Sequence, residues 1–394
     1  MADLPSTADV VVLGGGVNGA SIAYHLARKR IGRVVLVEKR FLASGPTARS
    51  TAIVRRFYAM DLLSRMANAA ADVFQNWREV VGGGDPGFHQ IGYLILAGED
   101  NAPHLKRNAE RAAALGCRVQ LVSAQDVKAL VPAIAADDIA LASYEPESGY
   151  ADPASTTAAF IERARELGAL IVQYTPVAEI LTTGDRIAGV RTPHGEIRAP
   201  AVVNCAGPWA GQLLAPLGIE VEIRPIRHQM CFFVRPPEFP PHPAIVDTPN
   251  GTYMRPDLRD LTIFGFGDYH EAVDPDRYDE GADVEEITRD AERIVRRFPV
   301  MEDGLARGGY SGVYDVTPDH QPILGAIPGY DGLYACFGWS GHGFKHAPVI
   351  GDVISDIVLN GRSEEYDLTP FRWSRFREGD LLPPARPIAP CSAP

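Results

Sequence analysis

The sequence predicts a two-domain α/β fold: a nucleotide-binding domain of parallel type, discontinuous in sequence, and a second, mostly antiparallel β domain. Three observations predict it. Residues 9–38 read strand, Gly-rich turn, helix, strand, which is one βαβ unit. An apolar strand of the buried parallel kind, Ala201-Val-Val-Asn-Cys205, and a strand, loop and helix over 329–361 repeat that character much later. Between them lie short alternating runs broken by prolines, the pattern of antiparallel strands. A length of 394 residues allows two or three domains at about 150 residues each, and two is the working count.

The elements follow in order. Asp9–Leu13 is the first strand, Gly14–Gly19 the turn, Ala20–Arg30 the helix and Val34–Glu38 the second strand. Leu63, Met66, Ala70 and Phe74 at helical spacing predict a helix over 61–80, stopped by Gly82-Gly-Gly84. Gly92–Ala97 reads as a strand and 101–116 as a helix. Asp152-Pro153 supplies an N-cap and an N1 proline for a helix to Leu167, which Gly168 closes. Leu170–Tyr174, Val177–Leu181, Ile187–Arg191 and Glu196–Arg198 are expected to form a meander. Strand-like runs over 219–267 predict a second sheet, and Val284–Phe298 an amphipathic helix. Leu333–Phe337 is a strand, followed by the loop Gly338–Lys345 and a helix over His346–Leu359. The implied boundaries are 1–85, 150–218 and 320–382 for the nucleotide-binding domain, 86–149 and 219–319 for the second domain, and 383–394, with five prolines, for a floppy tail.

Composition narrows the function. With 46% apolar and 22% charged residues, 38 Gly and 32 Pro, the chain is compact and rich in turns, which excludes wholesale disorder. A net charge of −12 argues against nucleic acid or an anionic membrane surface as partner, because both select basic stripes. A small molecule is the expected partner. No apolar run approaches the ~18 residues of a membrane helix, and Met1–Asp9 lacks a basic leader region, so the expected location is cytoplasmic. Five scattered Cys without a C-x-x-C spacing suit reduced thiols better than a disulfide framework or a metal site.

Gly14, Gly16 and Gly19, with Val17 and Asn18 inside the turn, form G-x-G-x-x-G in the right context: a strand before, a helix opened after it, and an acid, Glu38, at the end of the second strand. Gly14 permits the tight turn, Gly16 lets a pyrophosphate approach the helix N-terminus, and Gly19 lets helix and strand pack closely. Glu38 would accept hydrogen bonds from ribose hydroxyls, with Lys39 beside it. NAD and FAD both fit this motif. The strand Val202–Cys205 ends in a second small-residue turn, Ala206-Gly207-Pro-Trp209, with the meander and Val177 before it. A second approach to the same nucleotide suits FAD.

These motifs, with Tyr314-Asp-Val-Thr-Pro-Asp319 and Phe337-Gly338-Trp-Ser340-Gly341-His342-Gly343-Phe344-Lys345, resemble the D-amino-acid oxidase superfamily of flavoproteins, and within it the sarcosine oxidase and dimethylglycine oxidase branch. The resemblance covers most of residues 8–361. It implies a Rossmann-like FAD-binding domain, a substrate domain, and oxidation of the C–N bond of an N-methylated amino acid by hydride transfer to flavin N5. The Gly338–Lys345 glycines allow backbone N–H groups and a helix N-terminus to face the flavin ring and stabilise its negative charge.

In the branch it resembles, an Arg soon after the βαβ unit and the Lys ending this loop clamp the substrate carboxylate. Arg55, in Thr51-Ala-Ile-Val-Arg55-Arg56-Phe-Tyr58, and Lys345 match them. Arg56 is the lesser candidate. Only five of the basic residues are lysines, which singles out Lys345 further. Tyr314 resembles a substrate-pocket tyrosine. Trp209 and Trp339 are candidates to flank the cofactor, and Ser44, Ser50 and Thr51 to reach the pyrophosphate or ring, with loop capping the alternative. His342 has no obvious acid partner and reads as structural.

The departures are informative. Gly312 stands where relatives with a cysteinyl flavin carry Cys, so non-covalent FAD is expected. Ser44–Thr51 lacks the His pair some relatives show, and Gly149–Ala154 lacks the Arg-His-Asp of a second-flavin site, which disfavours an FMN subunit. In the branch, a lysine over the flavin face helps oxygen react; no Lys occurs from 129 to 344, so a poor oxidase that prefers another electron acceptor is expected, unless Arg255 or Arg259 substitutes. The partners are then a small carboxylate-bearing amine and an electron acceptor. The alternatives are a primary D-amino-acid or imino-acid dehydrogenase with the same clamp, and a non-catalytic flavin-retaining assembly subunit.

Overall fold

The computed structural model describes residues 4–267 and 271–383; all but Pro383 of the expected tail lies outside them. One sheet of six strands runs in the order Ile323–Ala326, Leu333–Phe337, Val202–Asn204, Val10–Leu13, Val34–Val37, Leu170–Val172. All neighbours are parallel except the first pair. The runs VVVL and VVLV are buried throughout because both faces are covered. Val10, Val12, Val34 and Leu36 pack under the helices Val17–Arg28, Pro153–Glu166 and Ala347–Asn360. Val11, Leu13, Val35 and Val37 face the other way, onto a three-stranded antiparallel meander of Glu179–Thr183, Arg186–Thr192 and Gly195–Arg198.

The meander has one strand fewer than expected. Leu170–Val172 leaves it and pairs in parallel with Val34–Val37. The Pro153–Glu166 helix, capped by Asp152, packs on Val17–Arg28 and returns the chain at the open edge of the parallel sheet. The helix expected over 61–80 is broken at Asn76 into Asp61–Gln75 and Trp77–Val80.

The second sheet has eight strands, ordered Leu305–Val316, Arg224–Val234, Leu261–Phe266, Thr252–Pro256, Ala244–Asp247, Tyr93–Ala97, Leu141–Glu145, Gln120–Val122. Only Ala244–Asp247 and Tyr93–Ala97 pair in parallel. The helix Val284–Arg297 covers one face through Ile294, against Leu94, Ile245, Met254 and Phe264. The other face meets the nucleotide-binding side: Tyr93, Ile95 and Ala244 pack with Ile53 and Phe57, and Tyr253 lies against them. Among the described residues no helix is long and apolar enough to cross a membrane.

Candidate active site

The nucleotide cradle is built by close backbone approaches. Gly14 has φ +103°, and a Cβ there would lie 2.7 Å from the Cys205 carbonyl oxygen. The second turn therefore presses directly on the first, and that Cβ would also lie 3.1 Å from the Cys205 carbonyl carbon and 3.3 Å from Ala206 Cα. A Cβ on Gly19 would overlap the Gly14 carbonyl oxygen at 2.0 Å. The helix opens at Val17 with Gly16 as a cap that offers no side chain and no acid in the first turn, which leaves its positive end for an anion. Asn18 Oδ1 is buried without a hydrogen-bond partner. Glu38, 9% exposed, is fixed by N–H groups of Gly15 at 2.6 Å and Arg40 at 2.7 Å. A glycine cradle, an uncapped helix end and an oriented carboxylate fit the pyrophosphate and ribose of FAD.

The other expected cofactor residues divide. Lys39 lies 3.8 Å over the Trp209 ring and pairs with Asp276 at 2.6 Å. Ser44 is buried and its carbonyl accepts from Arg49. Ser50 Oγ accepts from the Ala52 N–H and Thr51's carbonyl from Arg255 Nε, so both make local or framework contacts. Val177 is half-buried on the meander side, close to Thr175, whose N–H donates to the Glu38 carbonyl. Gly207 has φ +51° in the second turn.

The third segment is a strained loop. Gly338, Ser340 and Gly341 have φ of +75°, +49° and +87°. A Cβ on Gly341 would lie 2.9 Å from the Tyr314 ring, and one on Gly343 2.6 Å from Trp339. Asp315 accepts from the Gly338 N–H at 2.6 Å; burial pushes its carboxyl up to about 6. Phe344–His346 form a 3-10 turn before the helix, which begins at Ala347, not His346. Trp339 stacks on His346 at 5.4 Å. Burial, with Lys345 and Arg55 nearby, holds the His342 imidazole well below its ordinary pKa.

Arg55 and Lys345 meet around one ring: the Arg55 guanidinium lies 3.9 Å from the Tyr58 centroid and Lys345 Nζ 5.9 Å. Lys345 is 7% exposed and, among the described residues, donates only to the His342 carbonyl, at 3.4 Å. Burial, then the charge of Arg55, lowers its pKa well below that of a free lysine. Neither cation forms an ion pair among the described residues. Arg56 differs entirely: it is fully buried and held by Asn68, Asp72, Gln75 and Glu147.

Facing the loop, Tyr314 stacks on His228 at 4.6 Å, and its hydroxyl lies 3.3 Å from that of Tyr253. His228 is paired across the sheet with Gly312, where a Cβ would lie 3.0 Å from Arg49 Cβ. Arg49 pairs with Glu280 at 2.7 Å. Arg255 is committed to Thr51 and to Asp257 at 3.0 Å. Sequence reasoning missed His228, Tyr253, Asp315 and Arg49. Asp315 alone carried a signal, its place in the Tyr314–Asp319 motif.

A glycine cradle closed by two turns, with Arg55 and Lys345 gathered around Tyr58 in the same chain, is the arrangement of a dinucleotide-binding enzyme. The FAD dependent oxidoreductase family model matches residues 9–357, and the chain belongs to that family; FAD is its cofactor. It is 30% identical to human mitochondrial sarcosine dehydrogenase over 95% of this chain and 43% of that one. It is 28% identical to human peroxisomal sarcosine oxidase, over 93% of this chain and 96% of that one. The crystal structure of L-proline dehydrogenase from P. horikoshii superposes with a TM-score of 0.89 at 29% identity, covering 96% and 100% of the two chains. The chain spans less than half the length of the mitochondrial sarcosine dehydrogenase it matches.

Proposed function

We propose that the protein oxidises the C–N bond of a small N-methylated amino acid, secondary or tertiary, whose carboxylate sits between Arg55 and Lys345. The observation that carries this reading is the half-buried Arg55 and the buried Lys345 gathered around Tyr58 with no carboxylate in ion-pair contact among the described residues; the nearby buried Glu145, whose carboxyl burial pushes up to about 7, is the weak counter-charge of Arg55. Such charges are costly without a counter-ion, and a planar guanidinium with a point ammonium suits a carboxylate. Bound FAD supplies a hydride acceptor. The chain's own residues bind the carboxylate, orient the amine towards the Gly338–Lys345 loop, and exclude water behind the Tyr253–Tyr314 wall. The resulting imine hydrolyses.

Gly312 supports non-covalent FAD: the position has no thiol, and Arg49 occupies the space a side chain would need. Acid precipitation should release all the flavin, and colour kept in the washed pellet would exclude this. The similarity to an L-proline dehydrogenase favours a cyclic imino acid as the second reading, with the same clamp. Anaerobic bleaching by sarcosine, dimethylglycine, L-proline and D-alanine tests both. Bleaching by the first two supports the proposal and by proline alone the second reading; bleaching by D-alanine alone, or by none of the four, contradicts both.

A further inference from the structure

Behind Arg55 lies a buried carboxylate that is not itself part of the clamp. Glu145 ends the strand Leu141–Glu145, stands opposite Tyr93 in the eight-stranded sheet and is 0% exposed. Its Oε2 accepts from the Arg56 N–H at 2.7 Å and from Ser148 Oγ. Its Oε1 is buried and, among the described residues, has no hydrogen-bond partner. A charge buried this deep is poorly screened and acts on neighbours that it does not touch.

The neighbouring groups leave Arg55 as its counterpart. Arg56 offers Glu145 its backbone N–H, while its guanidinium turns to Asp72 and Glu147, at 2.7 and 3.3 Å. The phenols of Tyr58 and Tyr93, which also feel Arg55, are raised by burial and stay neutral. The Cys117 thiol donates to the Arg56 carbonyl at 3.5 Å; burial pushes it up to about 12, so it is neutral as well. Glu145 and Arg55 are the charges left in this corner, each acting on the other at longer range. Lys345, held below its ordinary pKa by burial and then by Arg55, is the charge that can be gained or lost.

A buried charge without a counter-ion is costly. Arg55 and a protonated Lys345 carry two positive charges, Glu145 supplies one negative charge, and a single carboxylate supplies the other. We infer that Glu145 is a specificity-determining residue, a fixed counter-charge behind Arg55 that fits the pocket to substrates with one carboxylate and disfavours those with two. With a second carboxylate the buried charges would sum to minus one, and one anion would lack a cation. With an uncharged side chain at 145, two carboxylates would match Arg55 and Lys345. Glu145 acts through the Arg55 guanidinium, as a positioning residue. The inference rests on the carboxylate clamp proposed above and adds which carboxylates that clamp takes.

The test is a titration of the oxidised holoenzyme with propionate, which has one carboxylate, and with malonate, which has two, followed by the flavin difference spectrum. The pH is set above the value of about 7 to which burial pushes the Glu145 carboxyl. Affinity for malonate relative to propionate should rise on the order of 10-fold from wild type to Glu145→Gln. A merely structural role would move both affinities together. An unchanged ratio, or loss of both ligands, in a Glu145→Gln protein that retains FAD overturns the inference alone. If Glu145→Gln does not retain FAD, Glu145→Met decides by the same ratio; loss of FAD from both variants assigns Glu145 to the fold and also overturns the inference. Propionate binding that Arg55→Ala leaves unchanged defeats the clamp, and this inference with it.

Discussion

Two neighbouring arginines sit in opposite environments. Arg56 is saturated: two carboxylates and two amides hold its guanidinium, and it ties the 55–58 segment to the helix Asp61–Gln75. Arg55, one residue earlier, lies half-buried on an aromatic face beside the buried Lys345, with no carboxylate in ion-pair contact among the described residues and only the buried Glu145 acting on it at longer range. The first region is complete as a folded protein, and the second, on the proposed reading, is completed by an anion. On that reading burial alone does not mark the ligand site; the absence of a carboxylate in contact does.

The largest expected effect separates these two roles. Arg55→Ala should cost about 2 to 5 kcal/mol in kcat/KM with little change in Tm, as steady-state kinetics and thermal unfolding will show. Equal losses for substrates with and without a carboxylate would contradict the clamp. Arg56→Ala should instead act on the fold, near the lower end of the ~3 to 5 kcal/mol for breaking a buried pair from one side, because Asp72 remains partly solvated. Denaturant unfolding measures it. A stable Arg56→Ala protein with lost substrate affinity would reverse the assignments.

The same contrast extends to oxygen. The strand Leu261–Phe266 presents Gly265, not a cation, towards Met230 and Tyr253, and Arg255 is occupied elsewhere. Loss of one preorganised charge is of the order of 3 to 4 kcal/mol, so the reduced protein should react slowly with oxygen and quickly with a dye acceptor. Stopped-flow reoxidation as fast in air-saturated buffer as with the dye would contradict this. A smaller effect is expected at Glu38, where Glu38→Ala removes a carboxylate fixed by two backbone N–H groups. FAD affinity should fall by about 1 to 3 kcal/mol, measured by flavin fluorescence on dilution.

The nucleotide unit was readable because its causes are local: a strand, three glycines and an acid within 30 residues of chain, each needed by a backbone contact now visible at Gly14 and Gly19. The parallel strand Leu170–Val172 was not, since three apolar residues say nothing about which edge they will join. Arg55 and Lys345 could be paired only through resemblance, because nothing in their own sequence neighbourhoods brings them to Tyr58. His228 and Tyr253 were invisible for another reason. Their contact depends on strand order and register, with Leu261–Phe266 lying between their strands, and no periodicity encodes that.

Proton uptake offers a finer probe of the clamp. Burial and Arg55 hold the free Lys345 ammonium well below its ordinary pKa, and a carboxylate placed beside it must raise that pKa again. Between the two values, binding takes up a proton, and affinity falls as pH rises through that window. Calorimetry in two buffers of different ionisation enthalpy should show uptake of up to one proton, abolished in Lys345→Met.

The most direct measurement is a titration of the oxidised, FAD-loaded protein with a carboxylate that carries no amine, such as propionate, followed by the flavin difference spectrum. A saturable spectral change in wild type and in Arg56→Lys, weakened at least tenfold in both Arg55→Ala and Lys345→Met, is the predicted result. Equal affinity in wild type and the two clamp variants would contradict a carboxylate held between Arg55 and Lys345.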